Sequence, residues 1–247
     1  VAQQDSGLKQ SRSSVRAVIF FAWVMFSTVL YGMAVVLVSP FSRSATRWLG
    51  RKWCRQQLAV AGIDVTVTGD EQLSPDGRYI VIANHASHLD IPILMAAFPV
   101  DLYFMAKKEL FRIPFFGWGI RAMGHIAVDR TNARSARKAI SHAVEQIHRK
   151  RISVVLFPEG TRTPNGEIGP FKQASFALPV EAGMPVLPVY IDGTFTALPK
   201  KTLAIQPAHV TIRIAPPVPA DTVAAADRKE LAGIVRDTIV KMKKGVA

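Results

Sequence analysis

An α/β fold, with a mixed and mostly parallel sheet flanked by helices, is predicted by three observations. Short apolar runs of strand length recur at Asp64–Thr68, Tyr79–Ala83, Leu102–Ala106, His125–Val128, Ser153–Phe157, Val186–Ile191 and Val210–Ile214. Helical patterns lie between several of them, at Ile91–Phe98, Phe116–Met123, Ala133–Lys150 and Phe171–Ala182. Such alternation predicts a sheet covered by helices. The third observation is a change of character at Ile63, before which the chain is tail, apolar segment and arginine-rich helix.

In order, residues 1–14 are polar and rich in Ser, Gln and basic side chains, which predicts a disordered tail. Ala17 to Val38 then runs about 22 residues without a charge, the length that crosses a bilayer core of about 30 Å. Its apolar core exceeds the ~7–15 residues of a cleaved signal. Lys9, Arg12 and Arg16 flank it on one side, and Arg43, Arg47, Arg51, Lys52 and Arg55 on the other. A spanning helix shows one-sided basicity, so a re-entrant segment with both ends on one face stands beside the spanning reading. From Ser44 to Val60, arginines every fourth residue make one ridge opposite Leu49, Trp53 and Val60. That pattern predicts an interfacial helix, with Trp near the headgroups and arginines meeting lipid phosphates. At the far end, Leu231, Ile234, Ile239 and Met242 predict an apolar helix stripe, with Asp221 as N-cap.

The 247 residues suffice for a sizeable core. Against 18 Asp plus Glu stand 31 Lys plus Arg, a net charge of +13 that predicts a polyanionic partner. Nothing in the sequence matches a nucleic-acid module, so the apolar segment makes the membrane the expected polyanion and nucleic acid an unexpected one. One cysteine, Cys54, excludes an intrachain disulfide and a Cys-based metal cluster, and fits a reducing, cytoplasmic setting.

Three stretches carry chemistry. In Asn84-His85-Ala86-Ser87-His88-Leu89-Asp90, His85 ends a strand and Asp90 enters a helix with Pro92 in its first turn. A tight turn there brings the carboxylate to one imidazole nitrogen and leaves the other to accept a proton, a base and its orienter. A capping contact is the plainer alternative. The second stretch is Phe157-Pro158-Glu159-Gly160-Thr161-Arg162, again after a strand. Gly160 lets backbone amides approach a ligand, Thr161 offers a hydroxyl, and Arg162 can fork onto a phosphate. Ligands bind beyond the carboxyl ends of strands in open α/β sheets, where both motifs sit. In the third, Lys107 and the later Arg130 add positive charge, while Phe115, Phe116 and Trp118 line an acyl path or dip into lipid. The chain lacks a G-x-S-x-G elbow, a Walker pattern and a strong zinc spacing; no metal is expected.

With these motifs in order, from roughly Ile63 to Gly193 and closed by Val186-Leu187-Pro188-Val189, the chain resembles the glycerolipid acyltransferases. Within that family it looks most like the bacterial 1-acyl-glycerol-3-phosphate (lysophosphatidic acid) acyltransferases. The resemblance implies a division into tail (1–14), membrane-anchoring two-helix element (15–61) and α/β acyltransferase domain (62–247). It implies a monomer on the cytoplasmic face of the inner membrane, working on phospholipid biosynthesis without a cofactor. His85 would take the proton of the sn-2 hydroxyl of lysophosphatidic acid as that oxygen attacks an acyl thioester, with Asp90 holding the ring. Glu159, Gly160, Thr161, Arg162, Lys107 and Arg130 would seat the glycerol phosphate. The donor, acyl-CoA or acyl-carrier protein, is already activated, so no protein nucleophile is needed. Acylation of another lyso-lipid, such as a lyso-ornithine lipid or lysophospholipid, and a non-enzymatic lipid-binding scaffold remain the alternatives.

Overall fold

The computed structural model describes residues 2–74, 76–129 and 133–246, with residues 2–14 and 133–136 as backbone alone. Helix α1 (Ala2–Val38) turns back into α2 (Arg43–Ala61), and the sheet follows. Its strands are β1 (Ile63–Thr68), β2 (Ile80–Ala83), β3 (Leu102–Lys107), β4 (Ile126–Val128), β5 (Ser153–Leu156), β6 (Val186–Asp192) and β7 (Ala208–Ile214). The helices among them are α3 (Asp90–Ala97), α4 (Phe116–Ala122), α5 (Ala133–Lys150), α6 (Ala177–Ala182) and α7 (Thr194–Ala197), before α8 (Ala220–Ala225) and α9 (Arg228–Lys243). Strand order is β1-β7-β6-β2-β5-β3-β4. Strands β2 to β6 run parallel; β7 pairs antiparallel with β6 and parallel with β1. The mixed, mostly parallel sheet of the sequence reading is present.

Alternate residues of the central strands face opposite layers, the period-two rule of a pleated strand. Val81, Ala83, Val155, Leu187 and Val189 join the core beneath α1, α2 and α3, while Ile80, Ile82, Val154 and Val186 join that beneath α5, α6 and α9. Every residue of β2 is buried, as expected of a strand covered on both faces. Burying one such aliphatic side chain contributes about 1.5–3 kcal/mol. The strand that delivers His85 is therefore among the most firmly fixed.

Several expectations need correction. Helix α1 begins at Ala2, where a disordered tail is predicted; Ala, Gln, Leu and Lys are good helix formers, and Gly7 alone does not stop the helix. Three arginines of the α2 ridge, Arg47, Arg51 and Arg55, are engaged by protein groups rather than left to meet lipid. Arg51 donates to the Phe98 carbonyl (3.0 Å), Arg55 to that of Ala96 (3.2 Å), and Arg47 pairs with Asp101 at 2.6 Å. The last carbonyls of a helix lack intrahelical donors and attract cations, and the end of α3 takes these. Trp53 likewise turns inward, its indole donating to Ser27 Oγ of α1 (3.2 Å). At the C-terminus Asp227, not Asp221, caps the long helix, accepting from the amides of Lys229 and Glu230 at 2.7 and 2.8 Å. Asp221 lies in the first turn of short α8. Ile234 is exposed, and Val235 takes the buried place predicted for it.

Helix α1 is sealed along one side and bare along the other. Phe20, Ser27 and Val35 are buried, whereas Val18, Met25, Phe26, Leu30, Met33 and Leu37 are exposed. Near its C-terminal end it presses on α4. A Cβ on Gly32 would lie 2.6 Å from the Phe115 carbonyl oxygen, so only glycine allows this approach.

Candidate active site

His85 leaves the carboxyl end of β2 and meets Asp90 in the first turn of α3. Its Nδ1 stands 2.7 Å from Asp90 Oδ2. A carboxylate only accepts, so Nδ1 carries the proton and Nε2 keeps its lone pair. Asp90 is fully buried, and Oδ2 also accepts the amides of Ala86 (2.8 Å) and Ser87 (2.9 Å). The helix itself has no side-chain cap, so this oxygen serves the imidazole and the loop before α3 rather than the capping alternative. That arrangement holds the loop and the ring together. The ring stacks on Phe157, centroids 4.2 Å apart, and keeps some solvent exposure at its edge.

The loop after β5 grips the same backbone. Thr163 donates its amide to the His85 carbonyl (2.8 Å), and Glu159 Oε1 accepts the His85 amide (2.9 Å). Glu159 Oε2 accepts from the Gly169 amide at 3.2 Å. Burial pushes this carboxyl above its usual range, against the pull of the two amides. Glu159 is therefore a brace for His85 rather than a seat for phosphate; a carboxylate offers an anion no donor. On the other side, Asn84 exchanges hydrogen bonds with the backbone of Ile191, donating at 2.9 Å and accepting at 2.8 Å, which ties the end of β2 to β6.

Gly160 adopts φ +74°, and a Cβ there would stand 2.7 Å from Lys172 Nζ. Only glycine satisfies both the left-handed turn and the lysine. Lys200 donates to Thr161 Oγ1 (3.1 Å) and to the Arg162 carbonyl (2.7 Å), which fixes the loop from behind. The Arg162 guanidinium makes no hydrogen bond or ion pair with any described residue, yet it faces His88. Burial, with Arg162 and His85, pushes the His88 imidazole below its usual value against the pull of Asp90. The result is a cluster of Arg162, Lys172 and Lys200 around a glycine turn beside His85, suited to a phosphate ester.

Lys107 ends β3 at the same edge of the sheet, but its ammonium is turned to Glu109 at 3.6 Å and is largely exposed. Neighbouring Lys108 pairs with Asp129. Arg130 lies outside the described residues. Phe115, Phe116 and Trp118 gather against the N-terminal helices instead of the imidazole. Phe116 meets Trp53 of α2 (6.4 Å), Phe115 meets Trp118 (4.9 Å), and Trp118 is half exposed. His125 stands outside the site, accepting the Phe104 amide through Nδ1, and burial pushes its imidazole down to about 4. Sequence reasoning missed Lys172 and Lys200. They come from segments with no motif of their own and reach the site only through the fold.

An imidazole held by a buried carboxylate, beside a cationic glycine turn at the carboxyl edge of a parallel sheet, has the geometry of a general base next to a seat for an anion. Residues 64–192 match the Acyltransferase family model, and the chain belongs to that family. It is 31% identical to a 1-acyl-sn-glycerol-3-phosphate acyltransferase of Limnanthes douglasii, over 85% of this chain and 75% of the relative. One of the same name from Pseudomonas aeruginosa is 31% identical over 84% and 82%. The crystal structure of the 1-acyl-sn-glycerophosphate (LPA) acyltransferase PlsC from Thermotoga maritima superposes with a TM-score of 0.81, at 31% identity. It covers 96% of this chain and 95% of that one.

Proposed function

We propose that the protein acylates 1-acyl-sn-glycerol-3-phosphate at its free hydroxyl and so makes phosphatidic acid. Relatives named for that activity match most of this chain and most of their own length. The observation that carries the reading is the 2.7 Å contact of His85 Nδ1 with fully buried Asp90, beside an Arg162 guanidinium that has no hydrogen bond or ion pair with any described residue. Nε2 takes the hydroxyl proton as the oxygen attacks the carbonyl carbon of an acyl thioester. The new C–O bond forms, the C–S bond breaks, and the imidazolium returns its proton to the departing thiolate. Arg162 holds the acceptor's phosphate, with Lys172 and Lys200 at its flank.

A thioester donor is favoured because the hydroxyl of the first motif is engaged. Ser87 Oγ is buried, donates to the Leu198 carbonyl (2.8 Å) and accepts from the Leu89 amide, which leaves it no nucleophilic role. Attack is then direct, without an acyl-enzyme. The bare side of α1 supports attachment to a membrane: an exposed apolar face of this length, continued by Phe41, Ile113 and Trp118, favours lipid. The packing of α1 along α2 and α4 supports a helix that anchors without crossing, and the expected side for the domain is the cytoplasmic one. The test offers purified protein lysophosphatidic acid with acyl-CoA and with acyl-carrier protein, and measures phosphatidic acid. Turnover only with phosphate-free lyso-lipids would overturn the acceptor assignment.

A further inference from the structure

A second basic concavity lies away from the site just described. A cavity of about 480 Å³ opens at the opposite edge of the sheet, lined by residues that precede β2, β3, β4 and β5. Six residues of chain lie between Arg78 on its wall and His85, a separation of about 23 Å at the rise of a strand. Arg43, Arg47, Arg78, Lys150 and Arg151 line it against one acid, Asp101. Asp101 is already taken by Arg47 and Arg51, and Arg78 is held by the carbonyls of Asp76, Gly77 and Arg151. The side chains of Arg43, Lys150 and Arg151 make no hydrogen bond or ion pair with any described residue.

The end of α5 sets two of these cations at the wall: Arg151, at φ +53°, is the left-handed residue that stops the helix, and the Ile152 amide donates back to the Ile147 carbonyl at 3.4 Å. Desolvation, then Arg149 and Arg43, push the Lys150 ammonium below its usual value, and Asp101, already held by Arg47 and Arg51, is the one acid among the residues that line the cavity. The rim says what kind of anion fits. Ser39 and Arg43, on either side of the turn between α1 and α2, line the cavity. Between and beside them Leu37 and Phe41 are 67% and 88% exposed. A charged hollow bordered by bare apolar side chains matches a molecule with an anionic head and a hydrocarbon tail.

We infer that this cavity is a second lipid site, which binds the phosphate headgroup of an anionic membrane phospholipid away from the acyl-transfer centre. The inference rests on the membrane part of the function proposed above and is independent of the acyl-transfer part. The two can fail separately, because the test needs no turnover. Full-length protein in neutral detergent micelles is treated with an amine-modifying reagent, and modification of Lys150 is followed by mass spectrometry. Micelles are doped with phosphatidylglycerol, with phosphatidylcholine, or supplied with inorganic phosphate. Phosphatidylglycerol is expected to protect Lys150 severalfold, and the other two to protect it little. Arg43→Gln should raise the phosphatidylglycerol needed for half-protection about tenfold, the loss of one charge-assisted contact. Its melting temperature, and its turnover in phosphatidylcholine micelles, should stay as in the wild type. Equal protection by phosphatidylcholine would overturn the assignment, as would no protection by any of the three. Protection by inorganic phosphate at the same concentration would replace the lipid with a soluble anion.

Discussion

Glu159 reaches His85 through the backbone and not through the ring: its Oε1 accepts the His85 amide at 2.9 Å while Oε2 holds Gly169. The acid of the second motif and the base of the first are therefore one mechanical unit. The family's two sequence signatures meet at this carboxylate.

Glu159→Gln tests that brace. One oxygen can serve one amide, and the new NH₂ then faces the other amide as a second donor. The His85 backbone should shift, and a displacement of about 1 Å in a catalytic group costs about 10²-fold. The account expects that loss in kcat, with the acceptor KM nearly unchanged. A change confined to the acceptor KM would instead make Glu159 part of the phosphate seat. The same variant has a stability signature. The folded-state pKa of Glu159 is raised by burial, so its ionisation costs stability. That cost is absent well below the ordinary glutamate value of about 4.3 and complete above the raised folded value. Thermal melts of the wild type relative to Glu159→Gln should therefore decline as pH rises through that window.

Arg162→Ala should act on the acceptor. Loss of a charge-assisted phosphate contact, about 1.5–3 kcal/mol, predicts a ~10–100-fold rise in acceptor KM with the donor KM unmoved. Lys200→Ala should give a smaller rise. The double variant should fall short of the sum, because Lys200 holds the very loop that presents Arg162. Additive effects would separate the two residues, and a shift in the donor KM alone would relocate the phosphate site.

What the sequence reveals and conceals follows from how far each signal travels. The strands and the His85–Asp90 pair are legible because apolar period and a five-residue spacing are local. Lys200 is invisible, as it approaches Thr161 from 39 positions away through the return of β6. The α2 arginines mislead for a related reason. Their spacing correctly predicts one face, but only the packed structure shows that face covering the end of α3. Glu159 shares its motif with the phosphate candidates by position, although its charge sign already argues against a phosphate contact.

Membrane attachment should depend on the bare side of α1 more than on its buried side. Leu30→Glu with Leu37→Glu changes two exposed positions without touching the core. Sedimentation with vesicles in high salt should show marked release of this variant, with the fold intact by circular dichroism. Retention at the wild-type level would assign attachment elsewhere. Topology is read with a cysteine at Ser6 in sealed vesicles after Cys54 is replaced. Labelling from the cytoplasmic side is expected, and labelling only from the periplasmic side would mean that α1 spans.

The central claim is that His85, held by Asp90, is the base of acyl transfer to lysophosphatidic acid. The direct measurement is kcat for phosphatidic acid formation by His85→Ala and Asp90→Asn, each at wild-type folding and membrane attachment. The account predicts a loss of about 10²–10⁴-fold for His85→Ala. Asp90→Asn should lose much of the rate as well, since an amide at that position no longer fixes the ring and the two loop amides as a carboxylate does. Near-normal turnover in His85→Ala would contradict the account.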